Sequence, residues 1–320
     1  ADAFLKNVID KDSTAELLLE AMLKNATVEE GRPARSVGRE GLGYYNTLGY
    51  VPYDVGINEN AARTLEYAYA DFTIAAMAEK MGKQDIADTY YRQSLNYKNL
   101  FDPITGFIRG RMNGMWVTPF DPTEVNFMLT EANTWQYNFF VPQDVSGLMK
   151  LYGGPEKFSH KLDEMFNASM EMTGRHQSDI TGLIGQYAHG NEPSHHIAYL
   201  FNWVDQPWRT NEIVSQILDE FYTDQPDGLC GNEDCGQMSA WYLMNAMGLY
   251  QVCPGDPRYS LGRPSFDQVQ IDLGAEKKFT IQAKNRSADH PYVQEVTLNG
   301  EKLLSPFITH ADICLLYTSD

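Results

Sequence analysis

The sequence predicts a mainly helical chain that finishes in a small antiparallel β-segment, and three observations carry that expectation. Apolar residues recur at helical spacing up to Gly255. Long segments rich in Gly, Pro, Asn and aromatic residues separate those stretches, as functional loops between helix pairs do. Beyond Gly255 the period changes to strict alternation in QVQIDL (268–273), KFTIQA (278–283) and VQEVTL (293–298), with Asn299-Gly300 supplying a hairpin turn.

The helices follow in order. Thr14 to Asn25 carries an apolar stripe of Leu17, Leu18, Met22 and Leu23. Asn60 to Met81 spaces Leu65, Tyr69, Phe72 and Ala76 on one face and stops at Gly82. After a very short turn, Asp85 to Asn99 runs on until Pro103, so the two must form an antiparallel αα-hairpin. Asp144 to Tyr152 and Pro155 to Met172 come next, and further helices start at Pro193, at Pro207 and near Gly236. The intervening loops are Gly38 to Glu59, Phe101 to Glu131 and Asp179 to Glu192. Loops recurring between helix pairs suit a helical toroid. About eight helices are too few to close one of six pairs, so the toroid is expected to be incomplete here, with its first helices upstream of residue 1. The expected division is 1–254 helical and 255–320 β. The closing CLLYTSD continues no pattern.

Composition excludes several functions. A net charge of −18 disfavours nucleic acid and anionic membranes as partners, and no apolar run is long enough to span a bilayer. Cys230, Cys235, Cys253 and Cys314 make neither a disulfide framework nor a C-x-x-C zinc pair.

Chemistry concentrates in two acidic loops that open helices, GNEPSHH (190–196) and GNEDCGQMSAWY (231–242). Paired carboxylates on rigid element ends suit glycoside hydrolysis and oxygen-rich calcium sites. The acids set in Gly/Asn/aromatic loops are Glu131, Glu192, Glu233 and Asp234. Trp135 and Tyr137 flank Glu131 with apolar bulk, which should raise its pKa toward the range of a general acid; the competing reading is a helix-start cap beside Thr130. Asp234, between Asn232 and Gly236 at a helix start, should stay ionised as a base requires, or be an N-cap. Asn191 and Glu192 offer hard oxygen ligands or, again, a cap. Of the adjacent His195 and His196, one can face the loop, although a satisfied core histidine is the commoner fate.

Taken together, LEYAYADFTIAAMA (65–78), TGFIRGRMNGMW (105–116), PFDP (119–122), TEANTWQYNFFVPQDVSGL (130–148), GNEPSHHIAYLFN (190–202) and GNEDCGQMSAWYLMNAMGLYQVCPG (231–255) resemble the glycoside hydrolase family 92 α-mannosidases. The resemblance covers roughly residues 40 to 300. It implies an exo-acting, calcium-dependent, inverting α-mannosidase with α-1,2 linkage as the default. It also implies an N-terminal β-sandwich, an (α/α)6 toroid and C-terminal strands, in a secreted or periplasmic protein of glycan degradation. By the same resemblance Glu131 is the general acid and Asp234 the base. Ca2+ falls to Asn191, Glu192 and Asp234, and contacts to the mannose-containing glycan fall to Trp135, Gln136, Glu192, His195, Asn232 and Glu233. An inverting pair would hold Glu131 and Asp234 across one cleft, about 6.5–9.5 Å apart. Asn232 departs from members with an aspartate there, and GQYAH (185–189) precedes the first loop without revealing a linkage. The alternatives are a catalytically inactive or incomplete carbohydrate-binding toroid, and a polysaccharide lyase, which would need a Tyr, His or Arg constellation around an acidic sugar.

Overall fold

A computed structural model of the chain describes residues 1–9, 13–28, 38–274, 276–287 and 289–314. The CLLYTSD tail from 315 onward lies outside the described residues. The helices are α1 (Asp2–Leu5), α2 (Ser13–Thr27), α3 (Leu42–Leu48), α4 (Asn60–Lys80), α5 (Gln84–Gln93), α6 (Thr134–Tyr137), α7 (Val145–Tyr152), α8 (Pro155–Asn167), α9 (Pro207–Phe221), α10 (Gln237–Met247) and α11 (His310–Cys314). The chain divides into two compact units, residues 1–188 with 254–256, and 189–253 with 257–320. The expected division at 254/255 is thus a crossing point, but α9 and α10 group with the strands rather than with the earlier helices.

In the first unit α4 is the central element, packed against α5, α2 and α1. Small residues at Ala75 and Ala78 let its neighbours approach, and with Ile74 and Met77 they meet Phe4, Leu19, Ala87 and Tyr90 in one apolar cluster. The αα-hairpin forms as expected, turning at Gly82 in the left-handed region (φ 77). A buried polar bracket ties α3 to α4: the Asp71 carboxylate accepts from Arg39 Nη1 at 2.6 Å and from the Tyr45 hydroxyl at 2.8 Å. Residues 254–256 rejoin this unit, where the Tyr69 hydroxyl donates to Pro254 O at 2.7 Å and Gly255 N to Asp2 Oδ1 at 2.9 Å.

Local chemistry explains where the helices depart from expectation. The segment 38–59 is not all loop: α3 is bracketed by Gly41 (φ 78) and Gly49 (φ 76), and a Cβ on Gly41 would meet Val51 at 2.9 Å. The Asp85 helix ends early at Gln93, since Ser94 Oγ bonds back to Tyr91 O, and a 3-10 stretch (Asn96–Leu100) replaces its last turns. At the end of α8, Asn167 Nδ2 satisfies Asp163 O at 2.8 Å and the chain turns extended at Ala168, so residues 168–172 are not helical. Pro193 opens no α-helix; short 3-10 turns (Glu192–Ser194, Ile197–Val204) carry the chain to α9.

In the second unit a three-stranded antiparallel sheet orders 307–309, 258–261 and 249–250. Two hairpins accompany it. Gln268–Gly274 pairs with Lys277–Gln282, with a bulge between Asp272 and Gly274. Thr297–Leu298 pairs with Glu301–Lys302 around Asn299 (φ 52) and Gly300 (φ 88), the positive pair that an Asn-Gly hairpin requires. Of the expected 293–298 strand only the last two residues pair. Leu249, Tyr259 and Ile308 form the buried centre, with Phe279, Ile281 and Leu298 against it. Among the described residues no helix is long and apolar enough to cross a membrane.

Candidate active site

In the first unit the segment before α6 is pinned at both ends. Met128 O accepts from Ala61 N at 3.0 Å and Ala62 N at 3.2 Å, at the open first turn of α4. The start of α6 is closed by a capping box, in which Asn133 Oδ1 accepts from Gln136 N and Gln136 Oε1 from Asn133 N. Glu131 therefore is not the cap of this helix. It sits half-buried between the two anchors with its backbone in the left-handed region (φ 51), which costs a non-Gly residue about 1–3 kcal/mol.

The other two expected sugar contacts of this unit have local partners. Gln136 is buried and is the second half of the capping box. Trp135 is only 8% exposed, with Phe107 edge-on at 4.6 Å and Lys161 Nζ 4.5 Å from its ring. Both fix the loop from beneath. Tyr137, buried and hydrogen-bonded to Thr130, is pushed up by burial and then by the charges of Glu66, Glu59 and Glu131, so these acids share its surroundings. Burial also raises the Glu66 carboxyl to about 7.

In the second unit the base candidate follows the same logic. The N-cap of α10 is Gly236 without a side-chain bond, and the capping carboxylate is that of Glu233, which accepts from Ser239 N and Oγ, each at 2.9 Å. Asp234 is left exposed. Asp234 (φ 48), Cys235 (φ 56) and Gly236 (φ 92) form three successive left-handed residues. Asn232 is exposed as well.

Behind this loop lies a buried histidine pair. His195 Nε2 meets His189 O at 2.9 Å, so that nitrogen carries the proton; Nδ1 then accepts from Gln237 Nε2 at 3.2 Å. The Tyr222 hydroxyl donates to Met238 O at 3.1 Å, leaving its oxygen to accept from His189 Nε2 at 2.7 Å. Trp241 Nε1 donates to His195 O at 3.0 Å, and its ring stands 4.4 Å from that of His189. Burial pushes His195 down to about 4, opposed by its bond to His189 O and by the Asp234 charge, and His189 down to about 2. Both rings are neutral at physiological pH. With both nitrogens engaged, His195 is a support for the loop, holding Gln237 three residues from Asp234.

Asn191 and Glu192 start the 3-10 turn that lies between His189 and His195; Asn191 O accepts from Ser194 N and Glu192 O from His195 N. Asn191 bears no side-chain cap bond, and the Glu192 carboxylate is exposed. Among the described residues no group of three His, Cys, Asp or Glu side chains is clustered for a metal. The donors present are hard oxygens, an amide and two carboxylates, which fit calcium, because that ion completes a set of 6–8 oxygens with backbone, water or sugar hydroxyls.

Sequence reasoning missed Glu66, His189, Tyr222 and Gln237. Glu66 sits mid-helix without a motif, and the others become visible only once the 3-10 turns and α10 are packed.

Residues 1–315 match the model of the glycosyl hydrolase family 92 catalytic domain. Two solved structures from Bacteroides thetaiotaomicron are similar over 98% of this chain. One is a family GH92 inverting mannosidase (41% identity, TM-score 0.86, 43% of that chain), the other a family GH92 α-mannosidase in complex with mannoimidazole (38% identity, TM-score 0.87, 41% of that chain). An uncharacterized secreted glycosidase of Arthroderma benhamiae is 30% identical over 97% of this chain and 42% of its own length. The chain thus spans less than half the length of the relatives it matches.

Proposed function

Because this chain belongs to glycosyl hydrolase family 92, within whose catalytic domain it aligns, we propose that it is part of an exo-acting, inverting α-mannosidase. One observation carries the reading. Glu131 and Asp234 are acids held in left-handed backbone, one in the TEANTWQY segment and one in the GNEDCG segment, and neither caps the helix that follows, because Asn133 with Gln136 and Glu233 with Ser239 already do so. Backbone strain of this kind clusters at functional positions.

Glu131 donates its proton to the leaving oxygen as the glycosidic bond breaks. Asp234 takes a proton from the water that attacks the anomeric carbon from the opposite face, so the first product is β-mannose. As general acid Glu131 must be protonated before the bond breaks. The Asp234 side chain is exposed, where water can reach it. Asn191, Glu192 and Asp234 would hold a calcium ion, which when bound polarises mannose hydroxyls and favours a distorted ring. Glu233, through its bonds to Ser239, and His195, through Gln237, keep the Asp234 loop in place, with Asn232 beside it open to substrate.

On this reading the helices belong to an (α/α) toroid followed by C-terminal strands, and an N-terminal β-sandwich accompanies them in the whole protein. Its substrates are mannose-containing glycans, with α-1,2 linkage as the default, met outside the cytoplasm. The decisive experiment is Glu131→Gln. Activity on an unactivated mannobiose should fall about 10²–10⁴-fold, with much less loss on α-mannosyl fluoride, whose leaving group needs no proton. NMR of the first product should give the β-anomer; initial α-mannose would refute inversion.

A further inference from the structure

Phe127 and Arg175 meet beside the segment that leads to the candidate acid. Four residues before Glu131, Phe127 has a rigid backbone: its C=O accepts from Glu59 N at 2.6 Å, and Asn126 Oδ1 holds the following N–H at 2.9 Å. Its ring is nevertheless 56% exposed. Arg175 is anchored by its own N–H to Val125 O at 3.0 Å, beside the short parallel pairing of Glu124–Val125 with Thr173–Gly174. Its guanidinium carbon sits 4.4 Å from the Phe127 ring centre, within cation–π range.

Among the described residues the Arg175 guanidinium has no carboxylate and no hydrogen-bond acceptor, and its Nε is buried without a partner. That is unusual in a chain with 43 acidic residues against 25 basic ones. A buried donor left unmade costs about 1–3 kcal/mol. An exposed aromatic ring with a stacked, unfilled donor fork offers what a neutral pyranose requires: an apolar face for its C–H groups and paired N–H donors for adjacent hydroxyls. The net charge of −18 disfavours an anionic occupant.

We propose that Phe127 and Arg175 form the subsite for the leaving-group sugar, so that this pair, not the mannose being cleaved, reads what the mannose is attached to. The assignment rests on Glu131 as general acid. A general acid stands on the leaving-group side of the bond, and four residues of chain reach at most about 13–14 Å, so the pair and the acid serve neighbouring sugar units. Exposure of Phe127 means that its truncation opens no core cavity.

The test compares an α-linked mannobiose with α-mannosyl fluoride, which carries no leaving-group sugar, on the whole protein with its N-terminal domain. Phe127→Ala and Arg175→Met should each lower kcat/KM on the mannobiose 10- to 100-fold, chiefly through KM, and change mannosyl fluoride hydrolysis less than twofold. Phe127→Trp should retain the wild-type ratio. Equal losses on both substrates, or no loss on the mannobiose, overturn the subsite. Whole wild-type protein, N-terminal domain included, that hydrolyses neither substrate overturns the mannosidase reading and the subsite with it. Should Glu131→Gln leave mannobiose activity intact while the Phe127 variant stays selective, the acid assignment fails and the subsite stands.

Discussion

Replacing His189 by phenylalanine should halve the acid sensitivity that the second unit owes to the His189–His195 pair. His189 and His195 are completely or almost completely enclosed, at 0% and 2% exposure, beneath Trp241 and Tyr222. Burial lowers their pKa values from 6.5 to about 2 and about 4. Both therefore stay neutral in the folded chain at pH 5, while the same side chains in the unfolded chain are almost fully protonated. Since the unfolded state binds more protons, stability falls as pH drops below about 6.5, by about 2 kcal/mol per imidazole at pH 5 and about 4 for the pair. His195 stops losing stability near its folded value of about 4, whereas His189 continues toward about 2. Phenylalanine keeps the ring against Trp241 and removes one proton site, so the loss between pH 7.5 and pH 5 should shrink by about 2 kcal/mol whatever the variant's stability at pH 7.5. Urea midpoints followed by intrinsic fluorescence at the two pH values, compared between variant and wild type, measure this directly. A variant with the wild-type pH dependence would falsify the claim that buried neutral imidazoles govern it.

Glu66 acts in the opposite sense: its folded pKa of about 7 stands above its ordinary 4.5, so stability declines as pH rises between those values. Glu66→Gln should remove that decline and stabilise the chain at pH 8 by about 1–3 kcal/mol, which differential scanning at pH 5 and 8 would reveal; an equal change at both pH values contradicts it. Asp71→Asn leaves Arg39 buried beside a neutral amide and should cost about 3–5 kcal/mol, measurable as a lower urea midpoint, with Asp71→Glu expected to retain part of the loss. A chelator should abolish mannose release and calcium restore it. Glu192→Ala should shift the calcium titration midpoint upward at least tenfold, and an unchanged midpoint removes Glu192 from the ligand set.

The αα-hairpin was legible because its two periodic stretches and Gly82 make a local signal, and the Asn299-Gly300 hairpin for the same reason. Less legible were elements decided by one side chain bonding back to its own backbone. Ser94 and Asn167 end helices that periodicity would continue, and no hydrophobic pattern announces that choice. The TEANTWQY and GNEDCG segments could be located from sequence, but not the division of labour inside them. Asn133 with Gln136, and Glu233 with Ser239, take the capping tasks that composition alone could equally have given to Glu131 or Asp234. For His195 the sequence left a substrate contact and a satisfied core histidine both open, and its two nitrogens meet His189 O and Gln237 Nε2. Arg175 gave no signal at all, since an unpaired cation is defined by what fails to surround it.

The return of residues 254–256 to the first unit sets a schedule for folding. The bond from Gly255 to Asp2 joins positions 253 residues apart, and it can close only after the whole excursion through 189–253 has been made. Closing a loop of that length costs on the order of 5 kcal/mol in chain entropy, which one hydrogen bond cannot offset, so the ends meet only after α1 and α4 are already packed. At about 5–20 residues per second of synthesis, the segment around Asp2 waits tens of seconds for its partner, with Phe4 and the face of α4 free to pack meanwhile. Docking of Pro254 and Gly255 is then a latch set late, and weakening it should leave the early helices folded while slowing the final step to the finished chain.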